Sequence, residues 1–188
     1  YSHWTWLIER QIKQEEPYKV LNLFGYTGIA TLAAAMAGAE VTHVDSSRRA
    51  VRIGKENAHN STMGRHPIRW IVDDAVKFVE KEIRRGNKYN GLILDPPQFG
   101  LGPKRERWRF SDHFSYFCEL LNRVLVPDPD FVVLTAYELE AKPEKLLREF
   151  QSIIRGKQGF VESGYLCLQD TSAGRFLEMS QFIRWSRA

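Results

Sequence analysis

The sequence alternates between short apolar runs and longer stretches with apolar residues at helical spacing, and this alternation constrains the fold most strongly. Five such pairs follow one another, with strands expected at 19–24, 40–45, 68–72, 90–95 and 130–135 and helices at 28–37, 47–60, 74–85, 112–125 and 143–155. Repeated strand–helix units form a parallel sheet with helices on both faces, because right-handed crossovers return each strand to one sheet. Two strands with no helix between them, about 160–168 and 176–185, add an antiparallel strand. The expected fold is therefore α/β with a doubly wound, mainly parallel sheet.

Residues 20–39 form a twenty-residue stretch without charge, which is the length of a membrane span. Asn22, Gly25 and Gly28 interrupt it, and the part after the glycines is rich in alanine. A strand, a glycine turn and a helix explain this pattern better than a span, so we expect no membrane association.

A chain of 188 residues is the size of one domain, so we expect a single domain over 1–188. A first helix is expected at 3–14, where Trp4, Leu7 and Ile8 share a face, and the longest coil at 96–110. The first residue is Tyr1 rather than Met, so we expect that an upstream module is missing.

Two cysteines and five histidines narrow the chemistry further. Cys118 and Cys167 are too few for a disulfide scaffold or a four-cysteine zinc site, and free thiols suit a reducing compartment such as the cytoplasm. Both fall in apolar patterns and are expected in the core. The histidines show no metal-ligand spacing, so no metal is expected. A net charge of +4 suits a polyanionic partner without requiring one.

Glycines and acidic residues follow the expected strands at their carboxyl ends, where open parallel sheets bind ligands. Gly25 and Gly28 lie between the first strand and its helix, and they allow a tight turn whose backbone a ligand can approach. Asp45 ends the second strand and can accept hydrogen bonds from both hydroxyls of a ribose. Asp74 follows the third strand and can accept from an adenine amino group, and Asp95 ends the fourth.

The spacing of the glycines distinguishes between classes of nucleotide ligand. A dinucleotide site needs Gly-x-Gly-x-x-Gly and a phosphate loop needs Gly-Lys-Ser/Thr, whereas this turn reads Gly25-x-x-Gly28. A glycine turn without a phosphate pattern, with acids after three consecutive strands, favours S-adenosylmethionine as the ligand. Each acid taken alone is more typical of a helix N-cap.

Four segments together carry a resemblance to a known family: 20–28 (VLNLFGYTG), 44–45, 73–75 and 95–100 (DPPQFG). With them the chain resembles the class I (Rossmann-like) S-adenosylmethionine-dependent methyltransferases, and more narrowly the subgroup of bacterial 23S ribosomal RNA methyltransferases. Asn22 stands where most methyltransferases have an acid, although the subgroup often carries Asn.

The resemblance implies a seven-stranded sheet with an antiparallel last strand, methyl transfer to RNA, and an additional N-terminal module that is not visible here. It also implies which residues bind the cofactor: Phe24, Gly25, Tyr26, Thr27, Gly28, Asp45, Ser46, Asp74, Ala75 and Asp95.

The segment after the fourth strand is expected to hold the methyl acceptor. The two prolines after Asp95 fix the backbone and remove N–H donors, so the Asp95 carboxylate and the Pro96 carbonyl can accept hydrogen bonds from a planar N–H group. Phe99 can stack on a base, which contributes roughly 1–3 kcal/mol. Asp95, Pro96 and Phe99 therefore predict a catalytic clamp for a flipped or single-stranded base. A rigid turn after a strand is the alternative.

The loop beyond this segment combines basic residues with an aromatic one. Such a pattern suits phosphate contacts and stacking, so RNA is expected to contact Lys104, Arg105, Arg107 and Trp108. A solvated charged loop is the alternative interpretation.

The ends of the fourth and fifth strands offer no cysteine, which methylation at cytosine C5 needs as a nucleophile. Transfer to a base nitrogen is therefore the preferred reaction. Two other functions stay open: an RNA module that binds the cofactor without turnover, and a methyltransferase that acts on a protein or a small metabolite.

Overall fold

The computed structural model describes residues 2–9, 17–61, 63–137, 142–170, 172 and 174–188. The helices are α1 (Ser2–Glu9), α2 (Ile29–Met36), α3 (Arg48–Asn60), α4 (Ala75–Arg85), α5 (Phe110–Asn122) and α6 (Pro143–Phe150). The strands are β1 (Lys19–Leu23), β2 (Glu40–Asp45), β3 (Ile68–Val72), β4 (Gly91–Leu94), β5 (Phe99–Leu101), β6 (Arg107–Arg109), β7 (Phe131–Ala136), β8 (Gly159–Asp170) and β9 (Arg175–Arg187).

One sheet has the strand order β3-β2-β1-β4-β7-β9-β8. The first five of these strands are parallel to one another, and β9 is antiparallel to both β7 and β8. Leu23 at the end of β1 lies beside Val44 of β2 and Leu94 of β4, so the carboxyl ends of these strands meet at one edge. The expected seven-stranded, mainly parallel sheet with an antiparallel last strand is confirmed.

The central strands are covered on both faces because successive side chains of a strand point to opposite sides. On β1, Leu21 and Leu23 join a core with residues of α4, α5 and α6, whereas Val20 joins a second core with residues of α1 and α2. Ala33 and Ala34 of α2 are buried, and their small side chains let this helix lie close to the sheet.

The segment 96–110, expected to be coil, contains a small antiparallel hairpin of β5 and β6. Strands of three residues are too short to show a recognisable alternation of apolar and polar residues in the sequence. This pair is recognised only from the pairing of the two strands in the structure. Its turn closes on Glu106, whose carbonyl accepts from the N–H of Gly102 and whose carboxylate accepts from the N–H of Lys104. The coil prediction was therefore wrong for this segment.

The other differences lie at element ends. The helix expected from residue 112 begins at Phe110, and the helix expected to reach residue 155 ends at Phe150. Residues 10–14 of the expected first helix lie outside the described residues.

The β8–β9 hairpin extends beyond the sheet, because β7 pairs only with Gln181 to Ser186 of β9. Cys167 of β8 is exposed, so the expectation that it lies in the core was wrong, whereas Cys118 is buried as expected. None of the helices in the described part of the chain combines the length and the apolar character needed to cross a bilayer.

Candidate functional site

Three adjoining cavities lie at the carboxyl ends of the strands. The inner cavity, about 130 Å³, is lined by His3, Trp4, Leu7, Asn22, residues 24–30, Ile93, Asp95, Val133 and Thr135. The outer cavity, about 670 Å³, is lined by Phe24, Tyr26, Asp45, Ser46, Asp95, Pro97, Gln98, Phe99 and Tyr137. The acidic cavity, about 30 Å³, is lined by Phe24, Val44, Asp45, Ser46, Asp73, Asp74, Ala75, Pro97, residues 100–102 and Trp108.

These cavities have lining residues in common and together form one candidate site. Phe24 lines all three, Asp45 lies between the outer and acidic cavities, and Asp95 lies between the inner and outer cavities. The volume of the outer cavity falls within the range of roughly 300–1,000 Å³ that is typical of small-molecule sites.

The turn after β1 forms one wall of this site and has a strained backbone. Phe24, Tyr26 and Gly28 have φ angles of 59°, 46° and 85°. A left-handed conformation costs a residue with a Cβ on the order of 1–3 kcal/mol, and such strain concentrates at binding sites. The Gly28 N–H donates to the Gly25 carbonyl over 2.9 Å and closes the turn.

A Cβ on either glycine of this turn would crowd an aromatic or imidazole ring of the protein itself. A Cβ on Gly25 would lie 2.5 Å from the ring of His43, and a Cβ on Gly28 would lie 3.1 Å from Trp70. His43 is buried, contacts Trp70 with ring centroids 4.6 Å apart, and forms a hydrogen bond with the Thr31 hydroxyl at 2.8 Å. Burial lowers the pKa of His43 to about 4, so the ring is neutral. The Gly-x-x-Gly spacing therefore reflects close packing against two rings, besides the ligand approach that the sequence suggested.

Asp45 is held at the end of β2 by backbone N–H groups. Its Oδ2 accepts from the N–H of Tyr26 at 2.9 Å, and its Oδ1 accepts from the N–H of Ser47 at 2.8 Å. Each carboxylate oxygen retains further lone-pair capacity. Asp45 can therefore accept hydrogen bonds from two ligand hydroxyls, and Ser46 lies beside it in the same two cavities.

Asp74 is the N-cap of α4, because its Oδ1 accepts from the N–H of Lys77 at 3.0 Å. The sequence predicts an adenine contact for Asp74, although a lone acid in such a position is more typical of an N-cap. Asp74 and Ala75 nevertheless line the acidic cavity, and the cap uses only one carboxylate oxygen. The structure therefore allows both roles for Asp74.

Asp95 follows β4 and is largely buried. Its Oδ1 has no hydrogen-bond partner among the described residues. Burial raises the pKa of Asp95 to about 6, and the nearby Tyr137 side chain opposes that rise. A carboxyl group with this pKa can take up or release a proton near neutral pH.

The two prolines after Asp95 are not placed as expected. Pro96, predicted to orient the acceptor, is buried and does not line the outer cavity, which Pro97 lines instead. The Pro97 carbonyl accepts from the indole N–H of Trp108 at 2.7 Å. Only the three-dimensional path of the segment decides which proline faces the cavity. The sequence therefore indicated that the two prolines lie at the site, but not that Pro97 is the one that lines it.

Phe99 lies at the outer cavity with 66% of its surface exposed. The guanidinium of Arg109 lies 5.6 Å from the centre of its ring. Gln98 lies beside it and donates from its side chain to the Tyr137 carbonyl at 3.0 Å, which ties this segment to the end of β7. An exposed ring in this position can stack on a planar ligand.

Trp108 is 5% exposed and packs between Phe24 and Phe117, with ring centroids 5.0 and 5.6 Å away. Trp108 is therefore a core residue of the hairpin. Because its ring is buried, the prediction that it stacks on RNA was wrong. The other expected RNA-binding residues, Lys104, Arg105 and Arg107, are exposed on the hairpin outside the three cavities.

Tyr137 and His3 are among the residues of the site that the sequence did not indicate. Tyr137 directly follows β7, so the rule that identified Asp45 and Asp95 at strand ends would also have found it. His3 of α1 lines the inner cavity, and no local signal indicates this, because α1 reaches the site only through the tertiary fold.

A further cavity of about 460 Å³ lies at the opposite edge of the sheet, where Lys19, Glu40 and Ile68 begin β1, β2 and β3. Its buried Glu82 already accepts hydrogen bonds from Tyr89, Asn87 and Arg85. The described residues contain no group of three or more His, Cys, Asp or Glu side chains that could hold a metal ion.

Comparison with known proteins agrees with this geometry. The model of the family described as Conserved hypothetical protein 95 matches residues 6–161. A crystal structure of a SAM-dependent methyltransferase from Agrobacterium tumefaciens is 41% identical, with a TM-score of 0.92 over 100% of this chain and 61% of that chain.

Two curated relatives have names that refer to ribosomal RNA large subunit methyltransferases. MJ1653 of Methanocaldococcus jannaschii is 35% identical over 122 residues, which is 63% of this chain and 31% of that protein. Methyltransferase I of Enterobacter sp. (strain 638) is 33% identical over 94 residues, which is 50% of this chain and 23% of that protein. The matched segments therefore cover less than a third of the length of these relatives.

Proposed function

Because this chain belongs to the Conserved hypothetical protein 95 family and has the fold of class I methyltransferases, we propose that it transfers a methyl group from S-adenosylmethionine to a base nitrogen of RNA. The observation that supports this most directly is the position of Asp95, between the inner cavity, which suits the amino-acid end of the cofactor, and the outer cavity, which suits an acceptor base. We also propose that the chain forms one domain, since a single sheet separates its two cores. A ribosomal RNA substrate would place the protein in the cytoplasm.

The residues present fit S-adenosylmethionine. Asp45, fixed by two N–H groups, would accept from the ribose hydroxyls, and Asp74, Ala75 and Ser46 would lie around the adenine. The turn from Phe24 to Gly28 would form the wall beside the amino-acid end, where buried polar atoms of residues that line the inner cavity have no hydrogen-bond partner within the described part of the chain. When bound, this cofactor supplies an activated methyl group on a positively charged sulfur, so the protein's task is alignment.

On the acceptor side, Asp95 would accept a hydrogen bond from the N–H group of the base. A nitrogen that gains a methyl group must lose a proton, and the Asp95 carboxylate can take it up because its pKa is about 6. Phe99 would stack on the base at the outer cavity. Neither Cys118 nor Cys167 lines these cavities, which favours nitrogen over cytosine C5 as the acceptor.

Binding of the cofactor is the first test. Calorimetry with S-adenosylmethionine should show binding that Asp45→Ala weakens strongly, whereas Asp128→Ala should leave it unchanged, because Asp128 is exposed, pairs with Arg187 at the surface and does not line the three cavities. Absence of binding to the unaltered chain would overturn the proposed activity.

The RNA substrate is supported by the relatives' names and by the exposed basic residues of the β5–β6 hairpin. Replacing Lys104, Arg105 and Arg107 with Ala should weaken RNA binding and lower its salt dependence. The matched control replaces Arg48, Arg49 and Arg52, which are exposed on α3 and change the net charge equally. Equal losses from both triple variants would indicate only a general charge effect.

Methyl transfer to unmodified ribosomal RNA, followed with a radiolabelled cofactor, tests turnover. Incorporation at a base nitrogen, located by mass spectrometry of the digested RNA, supports the proposal. Binding of both cofactor and RNA without incorporation would instead favour a binding module.

A further inference from the structure

His3 is a buried histidine of α1 that lines the inner cavity. Only 8% of its surface is exposed, and neither ring nitrogen has a hydrogen-bond partner among the described residues. The edge-to-face contact with Phe182, at 5.2 Å between ring centroids, positions the ring. A buried polar group without a partner is costly, so one that lines a cavity indicates a ligand group that satisfies it.

The protonation state of His3 determines what kind of ligand group this is. Burial, and secondly the positive charge of Arg184, lower the pKa of His3 to about 4. At neutral pH the imidazole is therefore uncharged, with one N–H donor and one lone pair. A ligand group that accepts a hydrogen bond from this N–H would satisfy the donor, which is costlier to leave without a partner than the lone pair.

Two other unpaired atoms of the inner cavity are acceptors. Asn22 donates through Nδ2 to the Thr31 hydroxyl at 2.8 Å, which leaves its Oδ1 buried and without a partner among the described residues. Asp95 Oδ1 is likewise buried and has no partner among the described residues. The residues that line the cavity therefore offer two oxygen acceptors, which complement an ammonium group, and the neutral N–H donor of His3, which complements a carboxylate.

An α-amino acid carries both of these groups on one carbon, and the amino-acid end of S-adenosylmethionine is such a group. We propose that His3 donates a hydrogen bond to the carboxylate of this amino-acid end, while Asn22 and Asp95 face its ammonium group. This assignment rests on the proposed function and adds to it a recognition residue from α1, outside the motifs at the strand ends.

The experiment compares two ligands that differ only at this end of the molecule. S-adenosylhomocysteine carries the amino acid, whereas 5′-methylthioadenosine retains the adenosine and the sulfur but lacks it. Both are titrated calorimetrically into the unaltered chain and into His3→Phe, which keeps an aromatic ring against Phe182 and removes both nitrogens.

The proposal predicts that His3→Phe weakens S-adenosylhomocysteine binding by about 10-fold to 100-fold, the usual effect of losing a hydrogen bond to a charged group, and changes 5′-methylthioadenosine binding by less than about 3-fold. His3→Asn or His3→Gln, each of which restores an N–H donor near one ring nitrogen, should recover part of the loss. Ile8→Ala is the control on the same helix, because this side chain is 37% exposed and does not line the cavity.

Two results would overturn the assignment, and a third would overturn the proposed function with it. Equal weakening of both ligands by His3→Phe would show a structural role for the ring. Unchanged affinity for S-adenosylhomocysteine would show that His3 makes no contact with the carboxylate. If the unaltered chain binds neither ligand, the cofactor itself is wrong and both proposals fail.

Discussion

Replacing Asp95 with Asn tests whether the site stores free energy in a buried carboxylate. Asp95 is largely buried, and its Oδ1 has no hydrogen-bond partner among the described residues; the nearby Tyr137 side chain only partly offsets the effect of burial on its pKa. Burial without enough donors disfavours the charged form, so the pKa rises from 3.8 to about 6. Asn is nearly the same size and carries no charge at any pH.

The magnitude follows from the pKa shift. A rise from 3.8 to about 6 corresponds to about 3 kcal/mol of native-state destabilisation when the group is charged. Between these two pH values the native chain binds more protons than the unfolded chain, so the stability of the native protein falls as pH rises through this window. Asp95→Asn removes this dependence. The stability of this variant relative to the unaltered protein should therefore grow by about 2.4 kcal/mol between pH 4 and pH 7.5.

Urea unfolding of both proteins at half-unit pH intervals measures the difference directly, and the difference cancels the titration of all other groups. Methyl transfer by Asp95→Asn should fall sharply at the same time, because the residue gains stability at the expense of its proton-accepting role. A stability difference that stays constant within about 0.5 kcal/mol from pH 4 to pH 7.5 would refute the reasoning.

Three further changes test the packing that supports the site. Gly25→Ala should destabilise the fold by about 1–3 kcal/mol in urea unfolding, because its Cβ would lie 2.5 Å from the ring of His43; Gly64→Ala, whose Cβ would meet nothing closer than 3.7 Å, should be close to neutral. Trp108→Ala should cost about 3–5 kcal/mol by the same measurement, and a loss below about 1 kcal/mol would contradict its place in the core. Glu82→Ala should lower the thermal midpoint, because Glu82 is a buried carboxylate that accepts hydrogen bonds from three side chains. The pKa of Glu82 is lowered in the folded protein, so the difference in thermal midpoint between variant and unaltered protein should shrink as acid protonates Glu82.

The sequence identified much of the site because strand ends are readable from the chain. Asp45 and Asp95 each follow a short apolar run, and parallel strands bring such ends to one edge whatever the details of packing. Gly25 and Gly28 were found for a related reason, since a turn between a strand and a close-packed helix needs them. The rings that exclude a Cβ there, His43 and Trp70, come from neighbouring strands and could not be inferred locally.

Trp108 shows where local pattern fails. Its basic neighbours made it look like part of an RNA-binding surface, but alternation along β6 points Arg107 and Arg109 outward and Trp108 inward. A three-residue strand is too short for that alternation to be recognised without knowing its partner strand.

The sequence by itself determined the sheet, its antiparallel last strand and the row of acids along one edge, because periodicity and chain order decide which residues end which strand. Only the tertiary structure decided which polar atoms lack partners: it buried Asp95 beside Tyr137, turned Pro97 rather than Pro96 toward the cavity, and brought His3 from the first helix to the same place. The reason is physical, since burial and hydrogen-bond satisfaction depend on every neighbour in space and the chain order specifies only the neighbours along it.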